Sequence, residues 1–199
     1  MMYKHISGID LGVLKSTTAI AFIEKDSLKV VYEDELKLPL IDFLIANNLQ
    51  LVAIDAPLSL PSGRKSLKAK NSNHFRECDI KLQNDKIKFF PVTLGAMRKL
   101  TERGILLKNS LVQKGVIVIE TFPGASYDLL KINRKNNLAK LLHLKMVLKN
   151  LKINYDLSIL DSDHKIDAVY CLLSGIAFKL GKAMMYEGLD GKIVVYKGL

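Results

Sequence analysis

Short, continuous runs of apolar residues recur along the chain and predict the strands of a buried sheet. The runs at 5–12, 17–24 and 28–34 follow one another with short links, which is typical of three antiparallel strands. The runs at 51–55 and 116–120 are separated by a long segment and are apolar throughout, as parallel strands are. The pattern therefore predicts an α/β fold with a mixed sheet.

Helical spacing of apolar residues fills much of the remaining chain. It predicts helices over 39–48, 125–130, 137–151 and 163–185, before a closing strand over 192–196.

Residues 62–113 break the alternation of strands and helices. They carry weak helical signals and one clearer helix over 93–103, closed by Gly104. Because no change of composition marks a linker, we predict a single domain over 1–199 with a helical insertion at about 62–113.

The chain is strongly basic, with 30 Lys and Arg against 20 acids and a net charge of +10. Such a charge attracts polyanions such as DNA or RNA, although a merely solvated surface is the alternative. Two stretches, 64–76 and 131–152, are especially rich in cations. The residues predicted to contact nucleic acid are Arg64, Lys65, Lys68, Lys70, Arg76 and Arg98. For Arg76 the alternative is an ion pair with Glu77, Asp79 or a site carboxylate.

No apolar run reaches the ~18 residues that a membrane span needs, and no signal peptide is recognisable at the N-terminus. Cys78 and Cys171 are far apart and lack the spacing of a zinc site or a disulfide framework. These features predict a cytoplasmic protein with no membrane partner.

Carboxylates occupy positions where a charge is costly. Asp10, Asp55 and Glu120 each end an apolar run, and Asp167 opens an uncharged helical stretch. Because ligands gather at the carboxyl ends of parallel strands, we expect these acids to form one site that binds Mg²⁺ or Mn²⁺. The alternatives are a turn role for Asp55 and, for Glu120, an ion pair with Arg98 or Arg103.

The start of the last long helix adds further candidates. Asp163 and Asp167 are four residues apart and therefore project from one helix face, with His164 beside them. Asp163 is a candidate metal ligand, with helix capping by Asp163 or Ser162 as the alternative. His164 is a candidate for proton transfer, and the whole set predicts two-metal hydrolysis of phosphodiesters with Asp10 as the bridging ligand.

A series of short motifs carries a family resemblance through about 6–196. In order these are GIDLG at 8–12, TT at 17–18, AIDAP at 53–57, RECD at 76–79, IETFP at 119–123 and DHKIDA at 163–168. The series resembles the predicted-nuclease family with a ribonuclease-H-like fold (domain of unknown function 429). It is also distantly similar to Holliday-junction resolvases.

The resemblance implies a central five-stranded mixed sheet, its first three strands antiparallel, flanked by helices. It implies catalytic roles for Asp10, Asp55 and Asp167, with His164 or Asp163, and a homodimer as in the resolvases. The resolvases usually carry Glu where this chain has Asp55, and they lack the segment at 76–79.

Two rival functions fit parts of the pattern. One is a non-catalytic nucleic-acid-binding module on the same fold. The other is a relative of actin-like ATPases or sugar kinases, whose first phosphate loop the segment 8–18 resembles; those proteins need a second phosphate loop, which 199 residues do not supply.

Overall fold

The computed structural model describes residues 3–70 and 73–199. Within them, seven strands form one mixed sheet and six α-helices pack against it. The strands are β1 (Ile6–Asp10), β2 (Ala19–Glu24), β3 (Ser27–Tyr32), β4 (Leu51–Asp55), β5 (Ile117–Thr121), β6 (Met184–Gly188) and β7 (Gly191–Val195). The helices are α1 (Leu40–Ala46), α2 (Glu77–Asn84), α3 (Gly95–Gln113), α4 (Pro123–Leu129), α5 (Asn137–Asn150) and α6 (Asp163–Lys179).

The strand order is β3-β2-β1-β4-β5-β7-β6. The predicted antiparallel arrangement of the first three strands is confirmed, and β1, β4, β5 and β7 run parallel. The sheet is larger than the five strands expected, because the C-terminal hairpin adds β7 beside β5 and β6 at the edge.

The predicted helix over 163–185 is too long at its C-terminal end. Gly181 follows the helix with a φ of 68°, in the left-handed region that glycine adopts without strain. The backbone N–H of Gly181 donates to Phe178 O at 3.0 Å, which closes the last turn. The chain therefore leaves the helix and begins β6 at Met184. The predicted helix overlapped the start of this strand, which the sequence analysis did not predict.

The insertion between β4 and β5 is helical, as predicted, but its main helix is longer than expected. α3 runs through Gly104 to Gln113 instead of closing at Gly104. A Cβ atom at position 104 would lie 3.0 Å from the carbonyl oxygen of Pro57. This glycine therefore serves close packing against the segment after β4 and does not end the helix.

α6 lies directly across the centre of the sheet. Its residues from Ile166 to Ala177 are almost all buried, among them Leu172 and Leu173. At Gly8 of β1 the two backbones touch, since a Cβ there would lie 2.0 Å from Leu172 N. Burying each large apolar side chain of this helix contributes about 1.5–3 kcal/mol. The packing holds the start of α6 beside the end of β1.

Among the helices of the described ranges, none combines the length and apolar character of a membrane span.

Candidate active site

Two carboxylates meet at the carboxyl ends of neighbouring parallel strands. Asp10 and Asp55 are register partners in β1 and β4, and Asp55 is the register partner of Thr121 in β5. Strand neighbours lie about 4.8 Å apart, so the three side chains form a short row. Gly8 and Ala53, two residues earlier in their strands, lie against α6. Because side chains alternate between faces, the row lies on the same side of the sheet as this helix.

The first turns of α6 bring His164 and Asp167 to this row. Ser162 caps the helix by accepting a bond from Lys165 N at 3.3 Å. His164 Nδ1 lies 2.6 Å from Asp10 Oδ2, and the hydroxyl of Tyr127 in α4 donates to Asp167 Oδ1. Asp10 and Asp55 are thus neighbours, His164 lies beside Asp10, and Asp167 is near enough for its charge to act on Asp55. That the three carboxylates hold one metal ion stays a prediction.

Crowding of acids in a buried place changes their protonation. Burial, followed by the nearby charges of Asp10 and Asp167, raises the pKa of Asp55 well above its usual value. Burial raises the pKa of Asp167 to about 6, although the Tyr127 hydrogen bond opposes the change. Burial also raises the pKa of Asp10, against the effect of His164. The cluster therefore favours a positive partner, either protons or a cation.

His164 is tuned by the same contact. Its hydrogen bond to Asp10 raises the pKa of the imidazole, and burial opposes this only in part. The His164 side chain is 47% exposed. It can therefore exchange a proton with solvent while it stays bonded to the Asp10 carboxylate.

Tyr127 and Lys140 support Asp167, and sequence reasoning did not find either of them. Both side chains are almost fully buried, and Lys140 Nζ lies 4.7 Å from the centroid of the Tyr127 ring. Lys140 also pairs with Asp163 at 3.3 Å. No local sequence signal marks these residues, because they reach Asp167 from α4 and α5 only through the tertiary fold.

Over residues 3–70 and 73–199, no group of three or more His, Cys, Asp or Glu side chains has the arrangement of a preformed metal site. Asp163 is exposed and pairs with Lys140 instead of joining Asp10. What the chain offers is the adjacent oxygen donors of Asp10 and Asp55. Mg²⁺ is commonly held by one or two carboxylates, with water and substrate phosphates completing its shell. The donor set therefore fits such an ion, with two carboxylate ligands, Asp10 and Asp55, instead of the four ligands predicted.

Glu120 does not belong to the carboxylate row, and it forms a buried ion pair, which was the alternative to its predicted place among the site acids. It lies one residue before Thr121 and therefore faces the other side of the sheet. There its carboxylate accepts two bonds from Arg76, at 2.6 and 2.7 Å, and one from Leu58 N at 2.7 Å. The expected partners Arg98 and Arg103 are not the ones it has; Arg103 binds Glu33.

The buried position of Arg76 also disagrees with its predicted role as a phosphate contact. It is 1% exposed and donates to Asp79, Glu120 and Ser59. Burial lowers the pKa of Arg76, but the two carboxylates outweigh it and raise the value further. Its backbone N–H also donates to Asp79 at 2.9 Å, which caps α2. The ion-pair alternative therefore holds for Arg76.

The other predicted phosphate contacts divide into two groups. Arg64 is buried, and its guanidinium donates to the carbonyl oxygens of Asn73 at 2.7 Å and Ala69 at 2.8 Å. It therefore organises its own loop, and its predicted role at the surface is wrong. The remaining four are exposed: Lys65, Lys68, Lys70 and Arg98.

A cavity of about 910 Å³ opens beside the carboxylate row, and Asp10, Asp55 and Thr121 belong to its lining. The rest of its lining is largely apolar and comes mostly from the insertion and from the segment after β5. It also includes Arg76, Asp79 and Glu120, the members of the buried ion pairs.

Fold and site together define a mixed α/β protein with paired acids at the carboxyl ends of its central strands. Comparisons of the chain with protein-family models, with curated proteins and with solved structures find no match.

Proposed function

We propose that this protein is a divalent-metal-dependent nuclease that hydrolyses phosphodiester bonds. The observation that carries the proposal is the meeting of Asp10 and Asp55 at adjacent strand ends, with Asp167 and His164 brought to them by α6. Clustered carboxylates repel phosphate unless a cation neutralises them, which favours metal chemistry over simple nucleic-acid binding.

We also propose that the fold is ribonuclease-H-like. The strands β3, β2, β1, β4 and β5 are consecutive, and the first three along the chain are antiparallel. The acids of the resembled family fall on β1, β4 and the final helix, where Asp10, Asp55 and Asp167 lie. The β6–β7 hairpin and the α2–α3 insertion are additions to this core.

Asp10 and Asp55 would hold Mg²⁺ or Mn²⁺. When bound, such an ion neutralises phosphate charge and stabilises the oxygens that attack and leave. Tyr127 fixes the orientation of Asp167 through its hydrogen bond. His164, bonded to Asp10 and half exposed, is placed to take up or release a proton at its free ring nitrogen.

A cleavage assay tests the proposal. Single-stranded DNA, branched DNA and RNA are incubated with the protein in Mg²⁺, Mn²⁺ or EDTA, and products are resolved by length. We expect cleavage of at least one substrate with either metal and none in EDTA. Cleavage that survives EDTA would contradict the mechanism. Metal binding without cleavage would favour the non-catalytic module, and tight ATP binding would favour the kinase relationship.

Asp55→Asn is expected to stabilise the metal-free protein at neutral and higher pH. The folded state raises the Asp55 pKa from 3.8, mainly by burial, so the folded chain holds a proton that the unfolded chain has lost. The stability that this bound proton gives is fully present below the pKa of Asp55 in the unfolded chain. It is lost as pH rises through the pKa of Asp55 in the folded chain. Asn avoids that loss, so its advantage in Tm grows with pH, by about 2–4 °C for each kcal/mol gained.

Thermal unfolding in EDTA from about pH 4 to 8 measures this advantage, with Mg²⁺ added in a second series. The metal should raise the Tm of the wild type and much less that of Asp55→Asn, since only a ligand bound to the folded state stabilises it. Asp26→Asn is the matched control, because Asp26 is exposed in the hairpin at the opposite end of the sheet. An advantage that is constant with pH would show that Asp55 does not titrate as described.

Lys65→Gln combined with Lys68→Gln is expected to weaken nucleic-acid binding uniformly across sequences. Both lysines are exposed in the loop that follows β4. Each lost phosphate contact should lower the slope of log affinity against log salt by about 0.7–0.9. Lys179→Gln with Lys182→Gln is the control, since Lys179 ends α6, Lys182 follows it, and both are exposed. Fluorescence anisotropy between ~50 and 200 mM salt measures the slopes, and equal slopes would exclude this loop.

A further inference from the structure

The cavity beside the carboxylates has a chemistry that phosphodiester hydrolysis alone does not require. Its volume, about 910 Å³, is in the range of small-molecule sites. Its walls include three aromatic rings and several aliphatic side chains: Phe89, Phe90, Phe122, Leu82, Ile87 and Met97. A groove that followed only a phosphate backbone would be polar and cationic, so these walls indicate an additional apolar group on the ligand.

The aromatic rings present faces and edges suited to a flat partner. Phe90 is 67% exposed, although a ring of this size is normally buried when it only supports a fold. Phe89 is held edge-on by Phe75, with centroids 6.1 Å apart. The guanidinium of Arg134 lies 5.3 Å from the centroid of Phe122. Phe89 and Phe122, held by these contacts, and the exposed Phe90 offer stacking surfaces for a planar, weakly polar group.

An unsatisfied hydroxyl belongs to one residue of the cavity lining. Thr121 is 1% exposed and lines the cavity, and its Oγ1 has no hydrogen-bond partner in the part of the chain that the structure describes. A buried hydroxyl without a partner is unfavourable. It can donate and accept, so a ligand with ring nitrogens, carbonyls or sugar hydroxyls would satisfy it. Thr121 is the register partner of Asp55, which places that polar contact beside the carboxylates.

The cavity also carries cations, which an anionic ligand requires. Lys86 and Lys88 are exposed side chains of its lining, and Arg134 belongs to the lining as well. The acids Asp10 and Asp55, the cations and the aromatic rings of one lining match a group that combines a flat heterocycle with a phosphate.

Resting on the proposed function, we propose that this cavity binds an unpaired nucleobase whose phosphate lies at Asp10 and Asp55. A base within a duplex is stacked and paired, so it cannot enter. The ligand is therefore a free nucleotide or a nucleotide in a single-stranded or extruded position. Phe90 stacks on the base, and Thr121 contacts its edge or its sugar.

A fluorescence experiment with 2-aminopurine tests this assignment. The probes are a single strand with one 2-aminopurine, the same strand with an abasic residue in that place, and 2-aminopurine deoxyribonucleoside monophosphate. The chain has no tryptophan, so the probe can be excited without strong protein fluorescence. The abasic strand carries no fluorophore, so its affinity is measured by competition against the 2-aminopurine strand. Affinities are measured in Ca²⁺ and in EDTA for the wild type, Phe90→Ala and Thr121→Val. Leu138→Ala is the control, since Leu138 is as exposed as Phe90, at 68%, and lies on α5 outside the cavity lining.

The wild type should bind the base-bearing strand about tenfold more tightly than the abasic strand, the scale of one stacked base. Phe90→Ala should remove most of that ratio, and Leu138→Ala should keep it. Thr121→Val should reduce the ratio while leaving Tm equal or higher, because it removes an unsatisfied hydroxyl. Binding of the monophosphate would identify a free nucleotide as a sufficient ligand, and binding of strands alone would identify a polynucleotide.

Equal affinities for base-bearing and abasic strands would overturn the base pocket while leaving the proposed nuclease in place. Absence of binding to every strand and to the monophosphate would overturn both. Decanoate serves as a further probe. If it binds while the base-bearing and abasic strands bind equally, the cavity is an acyl-chain site, which also contradicts the assignment.

Discussion

Asp10→Asn is expected to reduce phosphodiester cleavage by about a thousandfold or more, since the ion it helps to hold supplies several kcal/mol of transition-state stabilisation. Asn has the same shape and keeps an oxygen near His164 Nδ1, so folding should be preserved. Nucleic-acid binding without metal should become tighter, because one repulsive charge is gone. Cleavage rates under single-turnover conditions, with Tm and metal-free affinity on the same samples, give the three readouts.

Asp26→Asn again provides the control, because it makes the same chemical change at an exposed turn remote from the row. Its cleavage rate should equal that of the wild type. If Asp10→Asn retains wild-type cleavage, Asp10 does not hold the ion. If it unfolds, the loss of activity says nothing about chemistry, and Asp55→Asn then serves as the second test.

Arg76→Met is expected to destabilise the protein by about 3–5 kcal/mol, the usual effect of removing one partner from a buried ion pair. The change leaves the carboxylates of Asp79 and Glu120 buried without their cation, and both are almost inaccessible to solvent. At about 2–4 °C for each kcal/mol, the Tm should fall by roughly 6–20 °C.

Combining Arg76→Met with Glu120→Gln should recover part of this loss, because a neutral amide is less costly to bury than an unpaired carboxylate. Lys192→Met breaks the exposed pair with Glu187 and should have an effect below about 1 kcal/mol. Chemical denaturation gives all four free energies of unfolding. A loss for Arg76→Met as small as that for Lys192→Met would show that solvent or another group compensates the two acids.

Much of the fold was predictable because buried strands are recognisable in a sequence as apolar runs. β1 to β5 were found in this way, and the row of Asp10 and Asp55 followed from the rule that parallel strands end together. The hairpin of β6 and β7 was not found whole, since residues 180–188 continue the apolar character of α6 and only the backbone of Gly181 ends the helix.

Glu120 and Arg76 show why site membership was harder to predict than strand position. A strand of period two changes face at every residue, so a one-residue difference at the end of β5 decides whether Glu120 or Thr121 faces the site. Arg76 lies in a basic stretch that resembles a surface, but its partner Glu120 is 44 residues away. Pairs at that separation become visible only when the strands and helices are assembled.

The backbone contact between Gly8 and α6 has a consequence for how this protein responds to mutation. A methyl group at position 8 would occupy the place of Leu172 N, so the helix would have to move outward. His164 and Asp167 would move with it, away from Asp10. In a mutational scan scored by cleavage, substitutions of Gly8 would therefore lower activity as substitutions of the site acids do, although glycine has no side chain. Measurements of folding and of activity would both be needed to tell a chemical requirement from a steric one.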